Sequence, residues 1–343
     1  MTQRILLIYT GGTIGMMEDP RSGSLIPLDF EHVHEHVPEL TRFRVTLEVY
    51  AFGEPIDSSD VAVSHWQEIA RVIRDRYYDY DGFVILHGTD TMAYSASALS
   101  FMLQGLSKPV VFTGSQVPIG RIRTDGKENL ITAVEVAAAR RDGGPVVQEV
   151  VICFQSHLFR GNRTHKYSTE EFDAFRSPNC PPLADIGIHI FYRHDALLRP
   201  KGHFSMKEKM DARVGVLKIF PGMQEQMVRA VVLESGLRGL VLETYGSGNA
   251  MRSPWFIGIL DQAQKEGMVI VNVSQCAEGF VEQGRYKTSA DLSRIGVTGG
   301  ADMTTEAALT KLMHLLGQEL SVIEVRNRMA EDLCGELRTY SSR

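Results

Sequence analysis

Long apolar runs are missing from these 343 residues. No stretch approaches the ~20 consecutive apolar residues that a bilayer-crossing helix needs, so a soluble protein is expected. The early run Ile5-Leu6-Leu7-Ile8-Tyr9 is too short for a secretory hydrophobic region and no small-residue cleavage site follows it, which argues against export. Cysteine is scarce. Cys153, Cys180, Cys276 and Cys334 stand far apart with no Cys-x-x-Cys pair, so neither a disulfide framework nor a zinc knuckle is expected, and a reducing cytosol fits. Clustered positive charge is missing too. Lys and Arg number 36 against 42 Asp and Glu, a formal charge of −6, and the basic residues are scattered. That balance disfavours a nucleic-acid footprint and leaves small neutral or zwitterionic ligands open. His32, His34 and His36 alternate without forming His-Glu-x-x-His, so they read as exposed helix or loop, and no metal or cofactor is expected.

Apolar residues make up 43% of the chain and charged residues 23%, the composition of an ordinary globular protein, and the length favours two domains. Short apolar runs read as buried parallel strands at Ile5 to Tyr9, Phe83 to Leu86, Pro109 to Phe112, Val150 to Phe154, Leu240 to Leu242 and Val269 to Val273. Helical spacing alternates with them: Trp66, Ile69, Ala70 and Ile73 share one face, as do Phe256, Ile259, Leu260 and Ala263. Ser253 suits the cap of that later helix, Pro254 its first turn and Gly267 its end. Alternating strands and helices imply an α/β fold. The stretch 191–213 is rich in Lys, Arg, His, Gly and Pro and breaks the rhythm, so it reads as a linker between an N-terminal α/β domain at 1–190 and a smaller C-terminal α/β domain at 214–343.

In open α/β sheets, ligands bind beyond the carboxyl ends of the strands. Three such exits are rich in glycine and hydroxyls: Thr10-Gly11-Gly12-Thr13-Ile14-Gly15, His87-Gly88-Thr89-Asp90-Thr91 and Thr113-Gly114-Ser115-Gln116. Glycine permits tight bends and close approach to a ligand, and a Thr or Ser hydroxyl can attack or bind a carbonyl. A hydroxyl nucleophile needs a neighbour to take its proton, and a lysine serves as base only where burial or a positive neighbour lowers its pKa. Asp90 and a lysine, with Lys166 in Arg163-Thr164-His165-Lys166 the one to test, are the candidates. Structural readings stand beside these. Gly11-Gly12-Thr13 suits a plain turn that binds phosphate or nothing, although neither Gly-x-Gly-x-x-Gly nor a P-loop is present. Thr89 and Asp90 could cap a helix over Met92 to Leu103, Lys166 could be a solvated surface charge, and Ser58 and Ser59 could only turn the chain.

Tyr9-Thr10-Gly11-Gly12-Thr13-Ile14-Gly15-Met16 together with Gly82 to Met92 resembles the paired signatures of the bacterial-type L-asparaginases, the cytoplasmic type I branch in particular. The resemblance continues through Asp57-Ser58-Ser59-Asp60, Arg160 to Thr164 and Gly299 to Thr304. It implies a two-domain fold, with a larger mostly parallel sheet and a smaller flavodoxin- or Rossmann-like domain. It also implies hydrolysis of L-asparagine without a cofactor, with minor glutaminase activity. By the same resemblance Thr13 is the nucleophile that carries the acyl group, and Thr89, Lys166 and Asp90 form a relay. Gly12, Asp57, Ser58, Ser59, Gly88, Ser115 and Asn249 are implied in substrate binding, with Asp90 also pairing the α-ammonium. Tight dimers or tetramers are implied as well, with a neighbour's small domain closing each site.

Two departures carry expectations of their own. Leu25 stands where many relatives have a Tyr, so either the loop only excludes water or another phenol such as Tyr50 or Tyr245 substitutes. Glu243 stands where some relatives place an Arg that serves a second asparagine site, and a negative residue there would not attract an α-carboxylate, so weak or absent allosteric activation is expected. The rival readings are a glutaminase-leaning amidase, a non-catalytic amino-acid sensor and a phosphate-binding module.

Overall fold

The computed structural model describes residues 2–18, 25–27, 37–282 and 287–338. Two compact units divide the chain between Glu208 and Lys209.

The first unit is built on an eight-stranded sheet of β1 (Gln3–Gly11), β2 (Val45–Ile56), β3 (Gly82–Leu86), β4 (Val110–Thr113), β5 (Val150–Phe154), β6 (His157–Arg160), β7 (Ala184–Ile186) and β8 (Ile190–Tyr192), in the order β8-β7-β6-β5-β4-β3-β1-β2. From β2 to β5 every neighbouring pair is parallel, and β6 to β8 then add antiparallel strands. The parallel core strands are continuous apolar runs because both faces are covered. On one face Ile5, Leu7, Tyr9, Val84 and Leu86 pack with Leu130, Val134 and Ala137 of the helix α3 (Gly126–Ala138). On the other, Phe83 stacks on Tyr77, just past the helix α1 (Val63–Arg76). Each such side chain taken fully from water contributes about 1.5–3 kcal/mol. Between these helices in sequence lies α2 (Met92–Met102), buried on nearly every side. Its Ala and Ser residues make that close packing possible, and Ser100 Oγ returns its proton to the carbonyl of Ala96 at 2.8 Å.

The second unit holds β9 (Val214–Lys218), β10 (Gly239–Thr244), β11 (Val269–Ser274) and β12 (Thr298–Gly299), all parallel and in sequence order. The apolar face of α4 (Pro254–Lys265) covers Leu217, Leu240, Leu242 and Ile270 with Phe256, Ile259, Leu260 and Ala263. Gly267 takes φ +96° just past its end, as a helix stop requires. Ser253 occupies the cap position but makes no capping hydrogen bond. α5 (Thr305–Gly317) and α6 (Val322–Met329) complete the unit.

One expectation differs from what is seen, one strand carries no apolar signal, and one alternative reading falls away. The linker was expected at 191–213, yet β8 ends at Tyr192 inside the large sheet, and Ser205–Met206 pairs with Leu103–Gln104 in the first unit. Backbone pairing, which composition does not report, draws this polar stretch into the first unit. The long edge strand β2 carries Glu48, Glu54 and Pro55 and is only partly buried, so no apolar run marks it. Thr89 and Asp90 do not cap α2, whose cap position is Thr91, and Thr91 Oγ1 instead donates to the carbonyl of Ser58 at 2.6 Å.

Candidate active site

The exits of β1, β2 and β3 meet backbone against backbone. Gly12 has φ +86°, and a Cβ there would lie 2.4 Å from the amide nitrogen of Gly88. A Cβ on Gly88 would lie 2.5 Å from Ser58 Oγ. Any side chain at either position would force the loops apart, which is the physical need for glycine in both motifs. Thr10 Oγ1 ties the first exit to the third strand by donating to the carbonyl of Leu86 at 2.8 Å. Thr13, half-buried, opens a single 3₁₀ turn to Gly15 whose hydrogen bond runs from Gly15 N to Gly12 O at 3.1 Å. The Tyr9 hydroxyl donates to the carbonyl of Gly15 at 3.3 Å, and burial pushes this phenol up to about 12. Tyr9 thus steadies the Thr13 turn, a role that its place in an apolar strand run concealed.

Lys166 reaches the same loops from a different part of the chain. It lies in the two-residue strand His165–Lys166, paired with Phe175–Arg176. Its Nζ donates to Thr89 Oγ1 at 2.8 Å and to Asp90 Oδ1 at 2.6 Å. Its side chain is 15% exposed, against 62% for Asp90, so the ammonium is sheltered while the carboxylate faces solvent. Thr89 Oγ1 in turn donates to Gln116 Oε1 at 3.1 Å. The solvated-charge reading of Lys166 is therefore replaced by a buried-stem lysine with two short partners.

The exit of β4 is pinned from below. Asp125, buried, accepts from the amides of Gln116 at 2.9 Å and Val117 at 3.2 Å, and burial raises its pKa against the pull of these N–H donors. Asn129 donates to the carbonyl of Gly114 at 2.9 Å. On this rigid turn Ser115 is 2% exposed, and its Oγ has no hydrogen-bond partner among the described residues. An unsatisfied buried hydroxyl costs about 1–3 kcal/mol, so its position calls for a polar partner.

Beneath the third exit lies a neutral histidine. His87 Nε2 is 2.9 Å from Ser95 Oγ, which accepts from Trp66 Nε1 at 2.9 Å. The carbonyl of Gly88 only accepts, so Nδ1–H donates to it at 2.7 Å, and in the neutral ring Nε2 then accepts the Ser95 proton. Burial lowers the His87 pKa to about 4.

The remaining sequence candidates divide. Ser58 is buried against Gly88. Asp57 Oδ1 accepts from Ser59 N at 2.9 Å and Ser59 Oγ at 2.8 Å, so this pair does turn the chain, and those bonds lower the Asp57 pKa. A cleft of about 380 Å³ opens beside Asp57, lined also by Glu54, Asp60, His65 and Glu68; of the candidates only Asp57 touches it. Asn249 lies in the second unit, in a tight turn with Tyr245. Tyr50 sits in mid-strand under the guanidinium of Arg76. Leu25 has its backbone paired with Glu18, and its side chain, like His32, His34 and His36, lies outside the described residues. Among the described residues no group of three His, Cys, Asp or Glu could hold a metal ion, and no helix is long and apolar enough to cross a membrane.

Comparison with known proteins covers almost the whole chain. Residues 4–198 match the family model described as Asparaginase, N-terminal, and residues 213–329 the Glutaminase/Asparaginase C-terminal domain. The chain is 44% identical over 340 residues to L-asparaginase 1 of Escherichia coli (strain K12), covering 97% of each. It is 40% identical to the 60 kDa lysophospholipase of Mus musculus, covering 98% of this chain and 62% of that one. Among solved structures, L-asparaginase I of Vibrio cholerae matches with a TM-score of 0.89 at 39% identity, covering 98% of this chain and 99% of that one.

Proposed function

This chain belongs to the asparaginase family, and from that premise we propose that it hydrolyses the side-chain amide of L-asparagine to L-aspartate and ammonia. The observation that carries the reading is Lys166 Nζ bridging Thr89 and Asp90 beside the contact of Gly12 with Gly88. Thr13 Oγ attacks the carboxamide carbon, and its proton passes to the departing amide nitrogen, which leaves as ammonia. The β-aspartyl group is then an ester on Thr13. Water attacks that ester, its proton returns to Thr13 and aspartate departs. Thr89, Lys166 and Asp90 move and hold protons beside the reacting carbon, a contribution typically of 10²–10⁴ in rate. Ser58, with Asp57 and Ser59 shaping its turn, receives the α-carboxylate, and Asp90 receives the α-ammonium. The unspent hydroxyl of Ser115 is available to the substrate's amide.

The working form in this reading is a cytoplasmic homodimer or homotetramer, with Asn249 from a neighbouring copy closing the site. A fully active monomer in light scattering would remove that part. Allosteric activation by asparagine is expected to be weak or absent. Glu243 Oε1 accepts from Thr305 Oγ1 at 2.6 Å and its Oε2 lies 3.8 Å from Lys218 Nζ, so the carboxylate is occupied and offers no cation of its own to a second substrate molecule.

Ammonia release from L-asparagine and L-glutamine by wild type and Thr13→Ala, at millimolar and micromolar substrate, tests the reading. Hyperbolic turnover of asparagine is expected, with kcat/KM above that for glutamine by about 10–200-fold, the discrimination one methylene allows. Thr13→Ala is expected to lose activity by at least about 10⁴-fold. Binding without turnover by wild type would support the sensor instead, and tight nucleotide binding the phosphate module.

A further inference from the structure

Gln116 stands outside the set of residues assigned above, yet its side chain joins two parts of the site. Its Nε2 is 3.1 Å from the carbonyl of Glu171, and its Oε1 is 3.1 Å from Thr89 Oγ1. A backbone carbonyl only accepts, so the amide must turn its NH₂ to Glu171 and its oxygen to Thr89. A lysine ammonium only donates, so Thr89 oxygen must accept from Lys166 at 2.8 Å. The hydroxyl has one proton, and the remaining partner for it is Gln116 Oε1. Every direction in the chain Lys166 to Thr89 to Gln116 to Glu171 is thereby fixed by which groups can donate. The base of the chain is rigid as well, because Asp125 accepts from the Gln116 backbone N–H and is itself bonded by Asn129 Nδ2 at 3.2 Å.

We infer that Gln116 is a positioning residue for the amide hydrolysis, holding the Thr89 hydroxyl so that its lone pair faces Lys166 and its proton does not. The inference rests on the amidase reading above. Without Gln116 the Thr89 proton loses its acceptor, so the hydroxyl turns about its C–O bond to seek another, its lone pair leaves the line to Lys166 for part of the time, and the fraction of enzyme poised for proton transfer falls. Substrate binding by Ser58 and Asp90 is untouched. The loss therefore falls on kcat.

The test uses the full chain with Gln116→Met, similar in length and without hydrogen-bonding capacity of this kind, Gln116→Glu, which keeps an oxygen for the Thr89 proton, and Thr89→Val as control. Gln116→Met is expected to lower kcat for asparagine roughly ten- to a hundredfold, the usual scale for misplacing a reacting group, with KM within about twofold. Gln116→Glu is expected to recover several-fold over Gln116→Met, and Thr89→Val to fall at least as far as Gln116→Met. A Gln116→Met of unchanged kcat, a rise in KM that accounts for the whole loss, or a Gln116→Glu no better than Gln116→Met overturns the inference. If Gln116→Met fails to fold, as its melting curve would reveal, Gln116→Glu decides by retaining kcat within about tenfold or losing it. A wild type that releases no ammonia sinks the amidase reading and this inference together, whereas an active wild type beside an unaffected Gln116→Met sinks this inference alone.

Discussion

Each unit of this protein contains a lysine bound to a carboxylate, and the two pairs are opposite in character. In the second unit Lys311 and Glu336 are 2.5 Å apart and both wholly buried. Lys311 also donates to the carbonyls of Met329 and Glu331, while Glu336 accepts from the amides of Leu333 and Cys334. Attraction to the lysine and those N–H bonds hold the Glu336 carboxyl below its usual range against the effect of burial. With each ion bonded several times over, the pair staples the chain after α6 onto α5. In the first unit Lys166 meets a hydroxyl and a carboxylate that is 62% exposed. One pair is saturated and sealed, and the other retains an approach for a ligand. Both are a lysine with a carboxylate, so saturation and access separate a lysine that holds a fold from one proposed for chemistry.

The contrast extends to the strand exits. Those of the second unit spend their polar groups on each other: Thr244 Oγ1 donates to Asn272 Oδ1 at 2.6 Å, Asn272 Nδ2 to the carbonyl of Gly248, Ser274 Oγ to that of Gly246, and Gln275 Nε2 to those of Ile219 and Glu243. In the first unit Ser115 keeps a hydroxyl unspent.

Substitution at the two lysines sharpens this difference most. Lys166→Met should reduce kcat by up to about 10⁴-fold, the upper end for a lost acid–base group, with the melting temperature little changed. Assays and melting curves on the same preparation check it, and a fall in stability without a comparable fall in rate would erase the distinction. Lys311→Met should do the reverse, costing about 3–5 kcal/mol by leaving Glu336 buried and unpaired. Denaturant titration reads that loss, and a joint Lys311→Met, Glu336→Leu variant should regain much of it.

A smaller effect separates the floor of the first site from the second unit. The folded pKa of His87, about 4, lies below its unfolded value near 6.5. The unfolded chain therefore binds the extra proton first as pH falls, so the stabilisation is complete above about 6.5 and is lost on descending to 4. The span is worth roughly 3 kcal/mol. His87→Gln should flatten the acid limb of a stability–pH curve by that order, and an unchanged limb would show that the histidine is not neutral in the fold. The smallest change belongs to the second unit, where Thr304 Oγ1 caps α5 by accepting from Ala307 N at 3.1 Å. Thr304→Ala should cost ~1 kcal/mol in thermal melts and leave turnover alone.

Much of this is legible in the chain itself. Core strands such as Ile5 to Tyr9 and Val150 to Phe154 are apolar without interruption because both faces are covered, so burial alone marks them. An edge strand such as β2 carries no such mark, since one side keeps solvent, and the polar run after Tyr192 conceals that its backbone still pairs. Gly12 and Gly88 are legible as glycines, and the resemblance named Thr13, Thr89, Asp90 and Lys166 together. Gln116 and Tyr9 were not singled out, because a glutamine after a strand and a tyrosine within one have many ordinary uses.

Local sequence therefore determined the apolar runs, the glycine exits and the inventory of hydroxyls, carboxylates and lysines, since each follows from a residue's own size, charge and allowed backbone. Only the tertiary structure decided which lysine is sealed and which is accessible. Lys166 stands 76 residues from Asp90 and Lys311 stands 25 residues from Glu336, and in both cases the closing of the chain, not the neighbouring sequence, sets how many partners each ion finds and whether a ligand can reach it.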